Sequence, residues 1–268
     1  MQQDQEGECV LEIPHSIHDS VMEVVPLIRK LRTLVEETQD TDQDYELELR
    51  FGSIQGVDSG ARTFVPGINN TSMRQIESML TSFDGWDSVS AGWVYTQDYF
   101  YLVDGKQYRT SVLYKTGSDP EVKPCAHVFK SMIRKVDLQS VPMHRTEILE
   151  KIQRSSLICD LRVGLSSEKK VKDEIPHLVN PHLLRFKQRR WFQYKGWRYD
   201  LTKAWQAKTR EEMEKRQMHE PVCEFEIECC QPREMICRPY HNDEYIATSM
   251  LLKAMDFLTV RGITPATS

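Results

Sequence analysis

The sequence lacks any hydrophobic run of the roughly 18 residues that a membrane-spanning helix needs, so we expect no membrane association. Its first segment, MQQDQEGECV, is acidic and polar, which is unlike a secretory signal. The seven cysteines are odd in number and form no CxxC pair. This pattern argues against a disulfide framework and favours free thiols over a structural zinc site. We therefore expect an intracellular protein that is not secreted.

Positive charge is not in excess either. The chain has 35 Lys and Arg residues against 40 Asp and Glu residues, a formal net charge of -5. A broad basic surface that binds nucleic acid through bulk charge is thereby excluded. The charges are nevertheless segregated, because residues 1–60 are mainly acidic while residues 185–210 carry nine basic side chains and one acid. A local basic site is therefore compatible with the net charge.

The 268 residues, 40% of them hydrophobic and 28% charged, have the composition of a globular protein. The spacing of apolar residues predicts helices over 16–38 and 243–258, and a short helix that ends near Leu80 and that Asn70 or Thr71 caps. Short segments of alternating polarity fill most of the rest. We predict a mainly β (α+β) fold, an antiparallel barrel of about eight strands with flanking helices. It forms one domain, with a flexible leader (1–14) and a barrel core (44–230).

Four predicted strands have one apolar and one charged face, because successive side chains of a strand point to opposite sides. A solvated outer face explains any one of them, but neighbouring like charges repel and are usually avoided. A divalent ion among the carboxylates and a phosphate among the cations would relieve that repulsion. The pattern favours a phosphoryl-transfer site. The charged faces comprise Glu46, Glu48 and Arg50; Asp160, Arg162, Gly164, Ser166 and Glu168; Arg185, Lys187 and Arg189; and Glu224, Glu226 and Glu228.

The segments ELELRFG (46–52) and EFEIE (224–228) resemble the glutamate motifs of the triphosphate tunnel metalloenzymes. Arg50 follows the first two glutamates, where thiamine triphosphatases and adenylyl cyclases usually have Lys, so the chain is most similar to the metal-dependent RNA 5'-triphosphatases of fungi, protozoa and some large DNA viruses. The resemblance covers roughly residues 44–230. Further matching segments are RTFVPGI (62–68), YRTS (108–111), IRKVDL (133–138), DLRVGLSSE (160–168), RFKQRRWFQY (185–194) and WRYDLT (197–202).

This resemblance implies an eight-stranded tunnel with a hydrophilic interior. It also implies release of the γ-phosphate from the 5'-triphosphate end of nascent RNA, the first step of mRNA capping, and we expect hydrolysis of nucleoside triphosphates with Mn²⁺. Glu46, Glu48 and Glu228 match the glutamates that bind Mg²⁺ or Mn²⁺. Glu168 matches the acid that orients or activates the attacking water.

The other matching positions surround the triphosphate. Glu226 and Glu224 accompany the metal glutamates, and we count Glu226 among the catalytic residues. Lys135 is adjacent to Arg134, and a slip of one residue would exchange their faces. The matching phosphate-binding cations are Arg109, Lys135, Arg185, Lys187 and Arg189, of which Arg109 and Lys135 also count as catalytic together with Arg162, and the supporting residues are Asp200, Thr202 and Arg50.

Alternatives remain open. Trp191, Trp197 and Trp205 either stack on RNA bases or pack in the core or at the rim. The activity could instead be that of a tripolyphosphatase or thiamine triphosphatase, or the barrel could be a non-catalytic binder of phosphorylated ligands or a capping scaffold. The HCxxxxxR loop of cysteine phosphatases is absent.

Because the chain has no KxDG nucleotidyltransferase motif, we expect an RNA guanylyltransferase as a partner. The two longer predicted helices either cradle the barrel or form a homodimer interface. We expect the protein in the nucleus, or at a viral or cytoplasmic site of transcription.

Overall fold

A computed structural model describes residues 17–38, 43–56, 61–114, 123–139, 159–171 and 180–258. The predicted leader, residues 1–14, lies outside this part of the chain. The strands are β1 (Gln43–Gln55), β2 (Thr63–Pro66), β3 (Ser88–Val89), β4 (Val94–Val103), β5 (Lys106–Tyr114), β6 (Lys123–Leu138), β7 (Asp160–Val171), β8 (Leu183–Tyr194), β9 (Trp197–Ala207) and β10 (Val222–Cys229). The helices are α1 (His18–Glu37), α2 (Asn70–Ser82), α3 (Arg210–Arg216), α4 (Pro232–Cys237) and α5 (Asp243–Leu258).

Eight of these strands form a closed antiparallel barrel. Their order is β10-β9-β8-β4-β5-β6-β7-β1, and the pairing of β1 with β10 closes the barrel. The two short strands lie beside it, β2 against β1 and β3 against β8. The predicted eight-stranded barrel with flanking helices is therefore confirmed. Closure pairs both edges of the sheet, so the barrel has no open edge strand.

Tight two-residue turns join two of the hairpins. Asp104 and Gly105 connect β4 to β5, and Lys195 and Gly196 connect β8 to β9. All four residues have positive φ angles, between 46° and 82°. Turns of this kind match the right-handed twist of the flanking strands. They require positive φ angles, and glycine adopts such angles readily.

The hydrophobic core lies outside the barrel, between its wall and the helices. Phe51 on β1 and Phe225 on β10 are buried, with ring centroids 4.8 Å apart. Phe257 of α5 packs on Phe225 at 4.8 Å and on Tyr199 of β9 at 5.8 Å. Burial of these apolar wall residues against α1 and α5 stabilises the barrel from outside. The charged faces of the same strands point into the lumen.

The predicted helices are present, with one difference at a cap. Asn69, rather than Asn70 or Thr71, caps α2, because its side chain accepts a hydrogen bond from the Ser72 backbone N–H at 2.7 Å. Asn70 is already the first helical residue, so it cannot be the cap. None of the helices in the described ranges is long and apolar enough to cross a membrane.

The register of β1 brings the two glutamate motifs together. Glu48 is directly opposite Glu228 of β10, and Arg50 is opposite Glu226. On its other side, Glu48 is opposite Gly164 of β7. Directly opposed residues of an antiparallel ladder project to the same side of the sheet. Segments that are about 180 residues apart in sequence thus share one wall of the lumen.

Candidate functional site

Five glutamates line the wall that β1 and β10 form. Glu48, Glu224 and Glu226 are buried, and Glu46 and Glu228 are partly buried. Ser166 Oγ of β7 donates a hydrogen bond to Glu46 Oε2 at 3.1 Å. Apart from such single contacts, the carboxylates depend on cations for compensation, because burial removes the water that would otherwise solvate their charge.

Two of these carboxylates are incompletely compensated. Burial and the neighbouring Glu46 carboxylate raise the pKa of Glu228 to about 8, against the opposing effect of Arg198. Burial also raises the pKa of Glu48, and Glu226 adds to that rise while Arg50 opposes it. A raised carboxyl pKa means that the charged form is disfavoured where it lies. An added cation at this wall would therefore be stabilised.

The other acids are held ionised by cations. Burial alone would raise the pKa of Glu226, but Arg50 and Arg189 lower it to about 2. Arg50 is 3.1 Å from Glu226, measured from Nε to Oε1, and also contacts Glu48 at 2.9 Å. Burial alone would also raise the pKa of Glu46, but the nearby Lys130 ammonium lowers the pKa of this carboxyl. The lumen thus contains ionised acids and cations at close range.

Cations from β8 face this acidic wall. Arg185 forms a salt bridge with Glu224. Lys187 Nζ lies 2.6 Å from Asp98 Oδ2 of β4, a carboxyl that is fully buried. Burial lowers the pKa of Lys187 to about 8, and Arg189 adds to that effect while Asp98 opposes it. The three cations predicted from the alternation of β8 therefore do share the lumen.

A second group of charges lies on β5, β6 and β7. Arg109 donates a hydrogen bond to Glu168 Oε1 at 3.1 Å. Lys130 forms a salt bridge with Glu46, and its Nζ is 3.9 Å from Glu168 Oε1. The predicted water-orienting acid is thereby flanked by two cations and joined to the acidic wall through Lys130.

Two predicted cations lie away from this group. Arg162 donates hydrogen bonds to Asp137 at 2.5 and 2.8 Å, and its guanidinium lies 4.6 Å from the ring centroid of Phe64. Lys135 is exposed and opposite Gly164, which puts it on the lumen side of β6. Arg134, opposite buried Leu165, is on the other side. The side chain of Lys135, and not that of Arg134, is therefore on the lumen side as predicted.

The predicted supporting residues of β9 are also in the lumen. Arg198 donates a hydrogen bond from Nε to Asp200 Oδ2 at 2.9 Å and also contacts Glu228. Asp200 Oδ1 and Thr202 Oγ1 are buried and, within the described residues, have no hydrogen-bond partner. Buried polar atoms without a partner are costly. These two atoms are therefore suited to contact a ligand or water.

The lumen residues that escaped the sequence-based prediction include Lys130, Asp98 and Arg198. Each is charged and forms a salt bridge with a residue of another strand. Asp98 shares its face of β4 with uncharged residues such as Thr96, and Lys130 is preceded on its face of β6 by Val128, so neither stands in an evident row of charges. The only sequence feature that could have indicated Asp98 is a single charge on an otherwise uncharged strand face.

A divalent metal fits this wall by its chemistry. Glu46, Glu48 and Glu228 offer hard carboxylate oxygens, which Mg²⁺ and Mn²⁺ prefer. Burial raises the pKa of Glu48 and of Glu228, and neighbouring carboxylates add to the rise, so a bound cation would favour the ionised form of both. Over the residues that the structure describes, no three acids, histidines or cysteines converge as a formed ligand set, because the carboxylates point toward the cations instead.

A separate cavity of about 350 Å³ lies outside the barrel, among α2, the β8–β9 turn and α5. Its lining is largely apolar and includes Phe83, Trp86 and Tyr199. It contains none of the predicted site residues, and the concentration of paired charges is in the lumen.

The fold can be compared with that of solved structures. The chain is similar to the RNA triphosphatase Pct1 of S. pombe, with a TM-score of 0.65 and 15% sequence identity, over 94% of this chain and 95% of that one. A second structure, of Pct1 in complex with the Spt5 CTD, gives a TM-score of 0.64 at the same identity and coverage.

The RNA triphosphatase domain of a mimivirus mRNA capping enzyme is also similar, with a TM-score of 0.53 and 14% identity, over 91% of this chain and 99% of that one. Comparison by sequence finds no matching protein family and no matching curated protein. At 14–15% identity these likenesses establish the fold. The predicted resemblance to the tunnel enzymes is confirmed at that level.

Proposed function

We propose that this protein is a divalent-metal-dependent RNA 5'-triphosphatase that releases the γ-phosphate of RNA 5'-triphosphate ends. One observation carries the proposal: the register places the acidic strands β1 and β10 side by side, facing the cations of β8 in one lumen. The fold shared with RNA triphosphatases supports it. We extend the activity to nucleoside triphosphates with Mn²⁺, because the lumen offers charge for phosphates rather than contacts for one base.

The cations bind and orient the triphosphate in this proposal. Arg185, Lys187 and Arg189 donate hydrogen bonds to its phosphate oxygens, Arg185 and Lys187 in place of their present partners Glu224 and Asp98. Arg109 of β5, next to Glu168, supplies a further guanidinium. Glu168 accepts a proton of the water that attacks the γ-phosphorus. Because the barrel wall positions these groups around the triphosphate, they stabilise the charge that develops in the transition state.

The acidic wall would hold the ion. Glu46, Glu48 and Glu228 are the residues that would bind Mg²⁺ or Mn²⁺, and Arg50, Glu224 and Glu226 set the charge around them. A bound divalent ion supplies Lewis-acid stabilisation of a phosphoryl oxygen. Asp200 keeps Arg198 of β9 in place through a hydrogen bond, and Thr202 lies opposite Arg189 of β8.

The direct test is γ-phosphate release from triphosphate-ended RNA, with Mg²⁺ or Mn²⁺ and with EDTA. We expect activity only with metal, and loss of at least about a hundredfold in Glu46→Ala and in Glu228→Ala, as for removal of other transition-state electrostatics. Glu23→Ala, an exposed acid of α1, is the matched control and should retain full activity. Equal rates in EDTA, or full activity of both lumen variants, would overturn the proposal.

Related substrates separate the alternatives. Faster hydrolysis of inorganic tripolyphosphate or thiamine triphosphate than of RNA ends would favour the other tunnel activities. Tight binding of all these ligands without hydrolysis would favour a phosphate-binding module. The cation-flanked Glu168 argues against a non-catalytic barrel, since such a barrel has no need of a water-orienting acid.

Partners and location complete the proposal. A diphosphate RNA end is a substrate for a guanylyltransferase, so we propose such an enzyme as a partner, testable by pull-down with the full chain. Because Pct1 forms a complex with the Spt5 CTD, that segment is a second probe for the same pull-down. We also propose a homodimer, to be checked by sedimentation. The location would be the nucleus or another site of transcription, to be checked by imaging.

A further inference from the structure

The three tryptophans near the basic strand differ in their surroundings. Trp197 is buried, and Lys253 Nζ lies 5.2 Å from its ring centroid. Trp205 packs on Phe186 with ring centroids 5.7 Å apart and donates its indole N–H to the His219 carbonyl at 3.0 Å. Both rings therefore already have structural partners.

Trp191 has no such partner. Its backbone N–H donates to Ser90 Oγ at 3.2 Å, and the residue is only partly buried. Within the part of the chain that the structure describes, its ring stacks on no other aromatic ring and no cation, and its indole N–H makes no hydrogen bond. A large ring without these partners among the described residues can contact a ligand.

The register puts this ring on the lumen side. Trp191 is directly opposite Asp200 of β9, and Asp200 is in turn opposite Glu226 of β10. Opposed residues project to the same side of an antiparallel sheet. Arg189 precedes Trp191 by two residues, so it lies on the same side at roughly 7 Å along the strand. Trp191 thus continues the row of β8 cations with an aromatic face.

We propose that Trp191 is the surface on which the base of the 5'-terminal nucleotide stacks while its phosphates lie on the β8 cations. This inference rests on the proposed function, because it requires a triphosphate beside Arg189. Every base can stack on an aromatic ring, so Trp191 recognises a nucleotide without discriminating between the bases. Asp200 Oδ1, next to it in the register, is a buried acceptor that a ribose hydroxyl can satisfy.

The consequence is a preference for nucleotides over inorganic chains. Tripolyphosphate has no base, so it gains nothing from Trp191, whereas a nucleoside triphosphate does. Loss of a base–aromatic stack weakens binding by about 5- to 150-fold. The role of Trp191 can therefore be separated from that of the charged residues by comparing the two kinds of substrate.

The experiment measures KM for ATP and for inorganic tripolyphosphate with Mn²⁺ in Trp191→Leu and Trp191→Phe. We expect the KM for ATP to rise at least about fivefold in Trp191→Leu and less in Trp191→Phe, which keeps a ring. The KM for tripolyphosphate should stay within about twofold, by the same reasoning. Trp205→Leu, which removes a tryptophan on the outer side of the wall, is the matched control and should leave both values unchanged. An equal rise for both substrates would overturn the inference.

Binding without turnover gives a second readout. In EDTA, ATP should quench the tryptophan fluorescence of the wild-type protein, and Trp191→Phe should lose most of that quenching. Quenching that persists in Trp191→Phe would contradict the role of Trp191. If the wild-type protein hydrolyses no triphosphate, yet ATP quenches Trp191, the proposed function fails while the nucleotide-stacking surface stands.

Discussion

Lys187 is the most unusual cation of the lumen. It is buried beside an equally buried Asp98, and burial lowers its pKa to about 8. Most lysines stay charged throughout the physiological range. Lys187 instead loses its charge when the pH rises through about 8. Its usefulness for binding phosphate is therefore tied to pH.

We predict that inorganic tripolyphosphate binds the metal-free protein more weakly as the pH rises through about 8, because Lys187 loses its proton there. Lys187→Arg should remove this part of the pH dependence, since a guanidinium stays protonated. Titration calorimetry between pH 7 and about 9 would measure the effect. The comparison belongs in a Glu228→Gln background, because the pKa of Glu228 is also about 8. Identical profiles with Lys and with Arg at position 187 would contradict this prediction.

The sequence predicted most of the charged residues but not their partners. Alternation along β1, β8 and β10 identified rows of like charge because the side-chain period of a strand is a local property. Lys130 and Asp98 were missed since each is a single charge whose importance comes from a neighbour on another strand. Which strands are neighbours depends on closure of the barrel.

At the scale of elements, Gly52 allows β2 to lie against β1. A Cβ atom at Gly52 would come within 2.2 Å of the Val65 carbonyl oxygen and 2.7 Å of the Phe64 ring. The first of these is a backbone atom that cannot move aside by rotating a bond. Close approach of another strand is one reason for Gly inside a strand.

We predict that Gly52→Ala lowers the free energy of unfolding by about 1–3 kcal/mol, the usual cost of overpacking. Gly164→Ala is the matched control, because a Cβ atom there would make ordinary contacts with Glu48 and Met132 at 3.6–3.8 Å. Urea unfolding followed by circular dichroism would compare the two. Equal stability of both variants would show that β2 can shift away from β1 at little cost.

An irregularity in β6 shows what the strand pattern could not predict. The pairing with β7 shifts between Met132 and Arg134. Such a bulge inserts a residue and exchanges the faces of all positions beyond it. Before the shift Lys130 faces the lumen, and after it Lys135 does. Strict alternation allows only one of these two, so the sequence left the choice between Arg134 and Lys135 open.

At the scale of the whole molecule, the barrel is stabilised from outside. Phe225 is fully buried between Phe51 and Phe257, at the junction of β1, β10 and α5. The neighbours of Phe225 along β10 are glutamates that face the lumen. One strand thus supplies both the hydrophobic core and the candidate site.

We predict that Phe225→Ala lowers the free energy of unfolding by about 3–5 kcal/mol, since it removes a buried ring and leaves a cavity. Val89→Ala, at a residue that is 40% exposed, should change stability by less than about 0.5 kcal/mol. Chemical denaturation of both variants checks the difference. A small effect of Phe225→Ala would mean that α5 contributes little to holding the barrel.

Repulsion among the lumen glutamates gives a prediction for the metal. We expect Mg²⁺ or Mn²⁺ to stabilise the folded protein, by about 2.7 kcal/mol at a free concentration a hundredfold above Kd. Glu228→Gln should abolish most of this gain, whereas Glu23→Gln, on the exposed face of α1, should keep it. Thermal melting with and without metal measures it. A metal-induced rise in Tm that survives in Glu228→Gln would contradict the assignment of Glu228.

The sequence by itself determined the elements and the charged faces. The strands that contain the glutamate motifs, the basic strand β8 and the helix Asp243–Leu258 all follow from local periodicity, which is written in the order of residues. It also determined that a net charge of -5 conceals an acidic and a basic set of side chains.

Only the tertiary structure decided how these sets meet. Pairing of β1 with β10 joined the two glutamate motifs, and the bulge in β6 gave the lumen both Lys130 and Lys135. Strand order also decided that Lys187 of β8 lies beside Asp98 of β4. The physical reason is that register, strand order and closure are relations between distant segments, and the period of a single strand contains no information about them.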